Sequence, residues 1–399
     1  MKILFITYRL PNPKMIDGYS IRVLNIAKIL NKNHKVDLVS VYQGDENLKY
    51  KNDLEKIFGN IFLFKKNRFS KFIGAIKGIF SRDPIQENIY YSSKMKKWID
   101  DHYKNYDLIF CSTLRTAKYA FNLRTKKVID FIEDLGLKYS EAMNFVSFFW
   151  RIIYKIEVPR IQKLEKKILN NFDKIFISSE FDKNYLISNI QCSISNLVVI
   201  PNGIKDNLIK LQISNIQHQE EDIISFFGRM TYQPNEDAVI FFAKNVFPKI
   251  KKQIPKVKFF IIGGPVSFKV KKLKNIPGVI VTGFLNNPYE IILKSKVFIC
   301  PLRFGAGILN KVLEAMVLGK AVITTPIGIR AIKECVDDKN VIIIDDLKPE
   351  EITNRVLQVL KDDRKRQILG QNAQKLILEN YRWDKIGEKL LDVINQLTH

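Results

Sequence analysis

Gly307, Lys311 and Glu314 stand at i, i+4 and i+7. On a helix that spacing puts all three on one stripe. They lie within residues 297–326, VFICPLRFGAGILNKVLEAMVLGKAVITTP. The chemistry this stripe offers is anion and sugar recognition. Gly305, Ala306 and Gly307 would build the first helical turn without an Asp or Glu, so its free N–H groups and the positive end of the dipole are open to an anion. Glycines let a phosphate approach the backbone, Lys311 adds a point charge, and Glu314 can accept hydrogen bonds from sugar hydroxyls. The bland alternative stays open at this stage: a tight turn into a helix, with an ordinary Lys–Glu ion pair.

The elements that must position this stripe are legible around it. Residues 297–302 and 321–325 are continuous apolar runs, as expected of parallel strands covered on both faces. Between them a helix over about 308–318, from Ile308 to Leu318, is apolar almost all round and therefore buried. Similar runs recur along the chain at 3–7, 36–41, 61–64, 108–112, 128–132, 175–178 and 198–200, then at 223–227, 257–262, 279–282 and 341–344. Helical stretches separate most of them, which predicts doubly wound parallel sheets. In such sheets ligands bind beyond the carboxyl ends of strands. After the first strand, Gly18 permits a tight loop and Arg22 is placed in the first turn of the next helix, open to an anionic acceptor or simply solvated. After the fifth, Asp130, Glu133 and Asp134 end a strand in carboxylates. They read as groups for an acceptor or as a cap for the following helix. Glu157, Arg160 and Glu165 read as a charged helix face. Asn202-Gly203 is a turn signal, and the stretch from there to about Asp222 reads as a linker.

Composition narrows the function classes. The 399 residues, 46% hydrophobic and 27% charged, predict a globular chain of two domains. No apolar run reaches the roughly 18–20 residues that span a bilayer, and the start reads as a strand interrupted at Arg9, Pro11 and Pro13 rather than as a signal peptide. Cys111, Cys192, Cys300 and Cys335 are widely spaced, which predicts a reducing compartment and neither a disulfide framework nor a zinc site. No metal is expected. The net charge of +24 is heavier in residues 1–205, with 35 Lys+Arg against 20 Asp+Glu. It suits an anionic surface or substrate, and no nucleic-acid module accompanies it. Residues 64–82 alternate Phe69, Phe72, Ile73, Ile76, Ile79 and Phe80 with basic residues. They predict either an interfacial helix on an anionic membrane or a core-facing helix with a solvated basic face. Residues 145–154, FVSFFWRIIY, read as a hydrophobic lip or as core.

Glu314-Ala315-Met316-Val317-Leu318-Gly319-Lys320-Ala321-Val322-Ile323 resembles the donor-site motif of retaining glycosyltransferases of family 4. The resemblance extends through Arg303 to Met316 in a branch that keeps Arg303, Lys311 and Glu314, and departs from the wider pattern at Ala306, where a Glu is usual. It implies an α/β GT-B fold: two Rossmann-like doubly wound domains facing a cleft, with a C-terminal helix crossing back. The domains would be 1–204, completed by helix 381–399, for the acceptor and 205–380 for the donor. Gly228-Arg229 matches the family's G-R motif, and the Lys expected near Pro234 is missing, so Lys311 would supply the second cation. Asn235 would cap the helix that starts there. Gly283-Phe284 matches a turn that reads the nucleotide base. The implied donor set is thus Gly228, Arg229, Gly283, Phe284 and Arg303, together with Gly305, Ala306, Gly307, Ile308, Lys311 and Glu314. Glu133 and Asp134 align with a His-Asp pair of the family, and with Arg229 and Lys311 they would carry catalysis. Gly18, Arg22, Asp130 and Glu133 would meet the acceptor. The activity so implied is a retaining, metal-independent transfer, with no cofactor, from a nucleotide-diphosphate sugar to a glycan or lipid-linked acceptor in cell-surface polysaccharide synthesis. The implied place is cytoplasmic, peripheral on the inner face of the plasma membrane. Two rival readings are a degenerate binding subunit and a nucleotide-sugar epimerase.

Overall fold

The computed structural model describes residues 1–14, 17–44, 49–190, 195–213 and 219–397. Cys192 and residues 214–218 of the expected linker lie outside them. The chain divides into two compact units, Met1–Pro201 with Ile386–His399, and Asn202–Lys385.

The first unit holds a seven-stranded parallel sheet in the order β3-β2-β1-β4-β5-β6-β7. Its strands are β1 (Lys2–Thr7), β2 (Lys35–Tyr42), β3 (Ile61–Lys65), β4 (Leu108–Ser112), β5 (Lys126–Asp130), β6 (Lys174–Ile177) and β7 (Leu197–Val199). Ile3, Leu4, Phe5 and Ile6 of the central strand are wholly buried, with Ile3 level with Val36 on one side and Leu108 on the other. Phe5 stacks on Phe110 at 4.5 Å. Strands this apolar must be covered on both faces, and the crossover helices do it. Four helices matter below: α1 (Gly18–Leu30), α2 (Arg68–Phe80), α3 (Leu135–Ala142) and α4 (Phe148–Leu169). Asp17 caps α1 by accepting from the Ser20 amide at 2.9 Å, so Gly18 opens the helix and Arg22 falls in its second turn, later than expected.

The second unit holds a six-stranded parallel sheet in the order β10-β9-β8-β11-β12-β13. The strands are β8 (Glu221–Phe227), β9 (Lys258–Ile262), β10 (Val279–Gly283), β11 (Ser295–Cys300), β12 (Ala321–Thr324) and β13 (Ile342–Ile343). Its main helices here are α5 (Gln233–Phe241), α6 (Asn310–Val317) and α7 (Asp363–Asn380); α8 (Trp383–Asn395) follows and from Ile386 onward belongs to the first unit. The region read as linker contains a helix, Asp206–Ile213, because Leu208 finds a fully buried seat.

α6 begins two residues later than the pattern suggests. Gly305 (φ +145°) and Gly307 (φ +74°) lie in the left-handed half of backbone space, which no helix interior uses. The glycine turn therefore precedes the helix instead of forming its first turn. At the other end, Gly319 (φ +70°) closes α6: its amide donates to Met316 at 3.0 Å and that of Lys320 to Ala315 at 3.1 Å, the usual glycine stop. α7 crosses this stop at Gly370, whose added Cβ would lie 2.0 Å from the Gly319 carbonyl oxygen. Backbone cannot give way as a flexible side chain does. Gly370→Ala is expected to cost about 1–3 kcal/mol, the usual penalty of overpacking, read as a fall in the thermal midpoint; an unchanged midpoint would refute the close crossing.

Candidate active site

In the second sheet the strand order reverses between β8 and β11, and such a reversal opens a crevice at the carboxyl ends. Gly228 and Arg229 leave β8 there, and residues 301–307 leave β11. Arg229 is exposed, with Nε donating to Thr231 at 3.0 Å. Asn235, expected as a helix cap, lies inside α5 instead, since Tyr232 takes the cap position. Its amide nitrogen donates to the Arg229 carbonyl at 3.0 Å, and its carbonyl oxygen accepts from the Lys311 ammonium. Asn235 thus couples the end of β8 to α6.

Lys311 is the least compensated charge at this site. Its ammonium lies 4.6 Å over the Phe226 ring, and no carboxylate pairs with it among the described residues. Burial lowers its pKa below the usual lysine range. Glu314, a turn away, is 4% exposed and pairs with Lys205 at 3.1 Å, so the expected Lys–Glu stripe divides between two partners. Lys205 also donates to the Tyr289 phenol at 2.9 Å, and burial followed by the Glu314 charge raises that phenol's pKa. Arg303 likewise is held: it grips Asp237 of α5 with two nitrogens, Nε at 2.7 Å from Oδ2. Its charge is spent on Asp237, where the sequence pattern assigns it to a donor.

The turn itself is enclosed. Ala306 and Ile308 are 5% and 8% exposed, and Arg330 donates to the Gly305 carbonyl. Asn202 Nδ2 donates to Asn310 Oδ1 at 2.9 Å, which fixes the first residue of α6 to the Asn-Gly turn. Gly283 (φ +70°) has open space where a Cβ would stand, and Phe284 beside it is 66% exposed. Sequence reasoning misses Asn235, Asp237, Lys205 and Tyr289 as site residues. Their partners lie far along the chain, Lys311 being 76 positions from Asn235 and Tyr289 84 from Lys205, and such pairing leaves no local pattern to find.

The first-unit residues fare differently. Arg22 is fully buried and grips Asp130 with two bonds of 2.7 Å. Neither is presented to an acceptor, because a strand-end carboxylate inside the sheet edge needs a counter-ion and α1 supplies it. Asp134 is 1% exposed and caps α3, accepting from the Leu137 amide at 2.7 Å; buried there, it acts as a cap rather than touching a substrate. Glu133 is half-buried and pairs with Lys138 at 2.6 Å. Gly18 is exposed. Glu157 and Glu165, which the sequence places on a charged face, are 2% and 1% exposed.

Asp134 and Glu165 share the space beside Gly136, where an added Cβ would meet both carboxylates at 3.3–3.4 Å. Burial pushes Asp134 up to about 7, with the charges of Asp182 and Glu133 adding to the rise, and it raises Glu165 well above the carboxylate range, with the charge of Asp134 adding to that. A carboxyl group whose folded pKa is raised favours the folded state least once the pH has passed that pKa, because the buried charge must then be borne. Glu165→Gln is therefore expected to stabilise the protein over wild type at pH 8 and by less at pH 5, since a raised proton affinity on folding costs stability once the pH passes the unfolded carboxyl's range. Thermal midpoints at the two pH values check it, and a constant difference would sink the assignment.

Residues 221–362 match the family model described as "Glycosyl transferases group 1", and residues 16–208 the one described as "Glycosyltransferase Family 4". An uncharacterized glycosyltransferase of Methanocaldococcus jannaschii is 23% identical over 276 residues, 65% of this chain and 65% of that protein. A poly(ribitol-phosphate) α-N-acetylglucosaminyltransferase of Staphylococcus aureus is 26% identical over 243 residues, 59% of this chain; the chain spans 47% of that relative's length. Among solved structures, a mutant of S. aureus TarM in complex with fondaparinux, α-GlcNAc-glycerol and UDP matches with a TM-score of 0.72 at 16% identity over 99% of each chain. Two parallel-sheet units, a glycine turn at a sheet reversal and two family models that between them span most of the sequence give one conclusion: the chain belongs to the group 1, family 4 glycosyltransferases of GT-B fold.

Proposed function

We propose that this chain is a retaining, metal-independent glycosyltransferase that moves a sugar from a nucleotide-diphosphate donor to a glycan or lipid-linked acceptor in cell-surface polysaccharide assembly. The observation that carries the reading is Lys311: a half-buried ammonium which, among the described residues, is held by an amide oxygen and a ring and by no carboxylate, four residues after Gly307. A diphosphate is the partner it lacks. Arg229, exposed at the end of β8, adds a fork for a second phosphate oxygen. The carboxylates Asp237 and Glu314 are neutralised by Arg303 and Lys205, so the anion meets net positive charge. The S. aureus TarM complex with UDP supports a uridine diphosphate as donor moiety.

The chemistry follows from that charge. The bond from the anomeric carbon to the β-phosphate oxygen breaks as negative charge gathers on the phosphate. Lys311 and Arg229 stabilise that charge, the part a metal plays elsewhere. The acceptor hydroxyl attacks from the face the phosphate leaves, and its proton passes to the departing phosphate. Glu314 accepts from ribose hydroxyls, and the Gly283–Phe284 turn reads the base through its backbone.

UDP at a hundred times its Kd is expected to stabilise the protein by about 2.7 kcal/mol with EDTA present. Arg229→Ala should weaken it tenfold or more, as loss of a bond to a charged group implies. No shift with UDP, GDP, ADP, TDP or CMP would favour the degenerate binding subunit, which the Ala306 departure motivates. Because burial holds the Lys311 pKa below the usual lysine range, UDP affinity should fall as pH rises towards that range and Lys311 discharges. Lys311→Arg should flatten the fall, and an alkaline-independent wild type would remove Lys311 from the site.

The acceptor side of the reading is a membrane surface. No helix of the described residues is long and apolar enough to cross a bilayer. α2 instead turns its glycine face inward: a Cβ on Gly74 would meet the Asn88 carbonyl at 2.6 Å, and one on Gly78 the Ile85 Cα at 2.8 Å. Its aromatic face is left outside, with Phe69, Phe72 and Phe80 at 70%, 63% and 86% exposure. Phe148, Phe149 and Trp150 at the start of α4 are exposed as well, and Arg160 of α4 donates to the Gly78 and Ile79 carbonyls at 3.0 and 3.1 Å. Arg68, Lys77, Arg151 and Lys155 are exposed on the same two helices. Apolar rings beside cations suit an anionic interface, at about 1 kcal/mol per cation. Vesicles of phosphatidylglycerol should sediment the protein and those of phosphatidylcholine should not. Phe72→Ser with Phe80→Ser should cut binding about tenfold; equal binding by both lipids, or by the variant, would remove the membrane from the reading.

A further inference from the structure

The two sheets reverse at equivalent places. In the first unit the reversal falls between β1 and β4, in the second between β8 and β11. In each, an arginine stands two residues beyond the first of these strands, Arg9 and Arg229, and another three residues beyond the second, Arg115 and Arg303. The second unit's reversal takes a diphosphate on the reading above. The first unit's reversal is built around aromatic rings and cations.

Tyr8 lies at its centre, its ring 4.8 Å from those of Tyr19 and Tyr90, edge to face with both. The Arg115 guanidinium sits 5.0 Å over Tyr8, and its Nε donates to Gln86 at 2.6 Å. Arg9 sits 4.5 Å over Tyr19 and pairs with Asp17 at 2.9 Å. Lys71 of α2 lies 4.7 Å over Tyr90; burial lowers its pKa, and so do the neighbouring charges of Lys66 and Arg9. The carboxylates nearby do not balance this. Asp17 serves Arg9 and Asp83 serves Lys118 at 2.8 Å, burial pushes the carboxyl of Glu87 up to about 7, and Arg115 pairs with no carboxylate among the described residues.

A second observation points to a ligand. Among the described residues the hydroxyls of Thr7 and Thr113, at the carboxyl ends of β1 and β4, have no hydrogen-bond partner, although these residues are 0% and 3% exposed. Buried hydroxyls are rarely left so. Thr113 also holds φ at +70°, a costly conformation for a β-branched residue and one that gathers at binding sites. Cations carrying a surplus, aromatic faces and unsatisfied hydroxyls at one reversal fit a phosphorylated polyhydroxy compound.

The geometry points to a phosphate-ester site in the first unit, in which Arg9 and Arg115 hold the phosphate of the acceptor, Tyr8 and Tyr90 lie against its carbon skeleton, and Thr7 and Thr113 meet its hydroxyls. It rests on the transferase reading for the word acceptor; the phosphate site stands on its own geometry. The same chemistry is offered by a soluble sugar or polyol phosphate and by a lipid-linked diphosphate.

The full chain is titrated by calorimetry, with and without saturating UDP, with glycerol 3-phosphate and with geranyl diphosphate, against glycerol and geraniol. Both sources test one site: a phosphate probe should bind at least tenfold more tightly than its unphosphorylated partner, and the tighter of the two identifies the source. Arg115→Gln should weaken the phosphate probe at least tenfold and leave UDP affinity within twofold, and Arg115→Lys should restore part of the loss. Should Arg115→Gln not fold, the Arg9 and Arg115 side-chain Nε–Hε signals of the wild type should shift on probe binding and not on UDP binding. Binding of neither probe, or undiminished binding by Arg115→Gln, overturns the site. Phosphate binding without any nucleotide binding would instead retire the donor reading and leave this site standing.

Discussion

A parallel sheet whose connections run first to one side and then to the other must reverse somewhere, and in this protein Arg9, Arg115, Arg229 and Arg303 all stand within three residues of the strands that border the reversals. Crossovers are right-handed, so helices cover both faces and the strands between them are mostly apolar. Ile3 to Ile6 in one sheet and Val297 to Cys300 in the other have no exposure to lose. Only at the reversal do the carboxyl ends of two neighbouring strands stand apart with no helix between them. β1 and β4 make this opening in the first unit, β8 and β11 in the second.

What fills each opening is decided by how its charges are compensated. Buried charges need partners, and most here have them: Arg22 with Asp130, Arg303 with Asp237, Lys205 with Glu314. These pairs are scaffolding. They fix α1 to β5, α5 to the turn after β11, and α6 to the segment after the Asn-Gly turn. Against that background Lys311 and Arg115 stand out, because each is held by an amide oxygen and an aromatic face and pairs with no carboxylate among the described residues. An arginine or lysine placed on a ring is held in position without being neutralised.

The surface of the first unit obeys the same logic from outside. α2 packs through Gly74 and Gly78, since only a residue without a side chain allows so close an approach. Its aromatic residues then have no core to enter. Lys71, on the same helix, reaches the tyrosine cluster, so one helix carries both the exposed rings and one of the cations at the first reversal.

The sequence by itself determined the class of fold and the donor-side motif. Continuous apolar runs alternating with helical stretches admit little but doubly wound sheets, and Gly305, Gly307, Lys311 and Glu314 are close enough along the chain to be read as one unit. It also marked the basic, aromatic stretch at 64–82, though not which face would be outside. Only the tertiary structure decided who pairs with whom. By sequence Arg22 and Asp130 are acceptor contacts; in the fold they are a buried pair, 108 positions apart. Asp134, catalytic by motif, is a cap, and Asn235, a cap by local pattern, is the partner of Lys311, 76 positions away. The reason is physical. Backbone periodicity is a local property, written in neighbours three, four or two residues apart, whereas compensation of a buried charge depends on which strand ends the fold brings together, and no spacing along the chain encodes that.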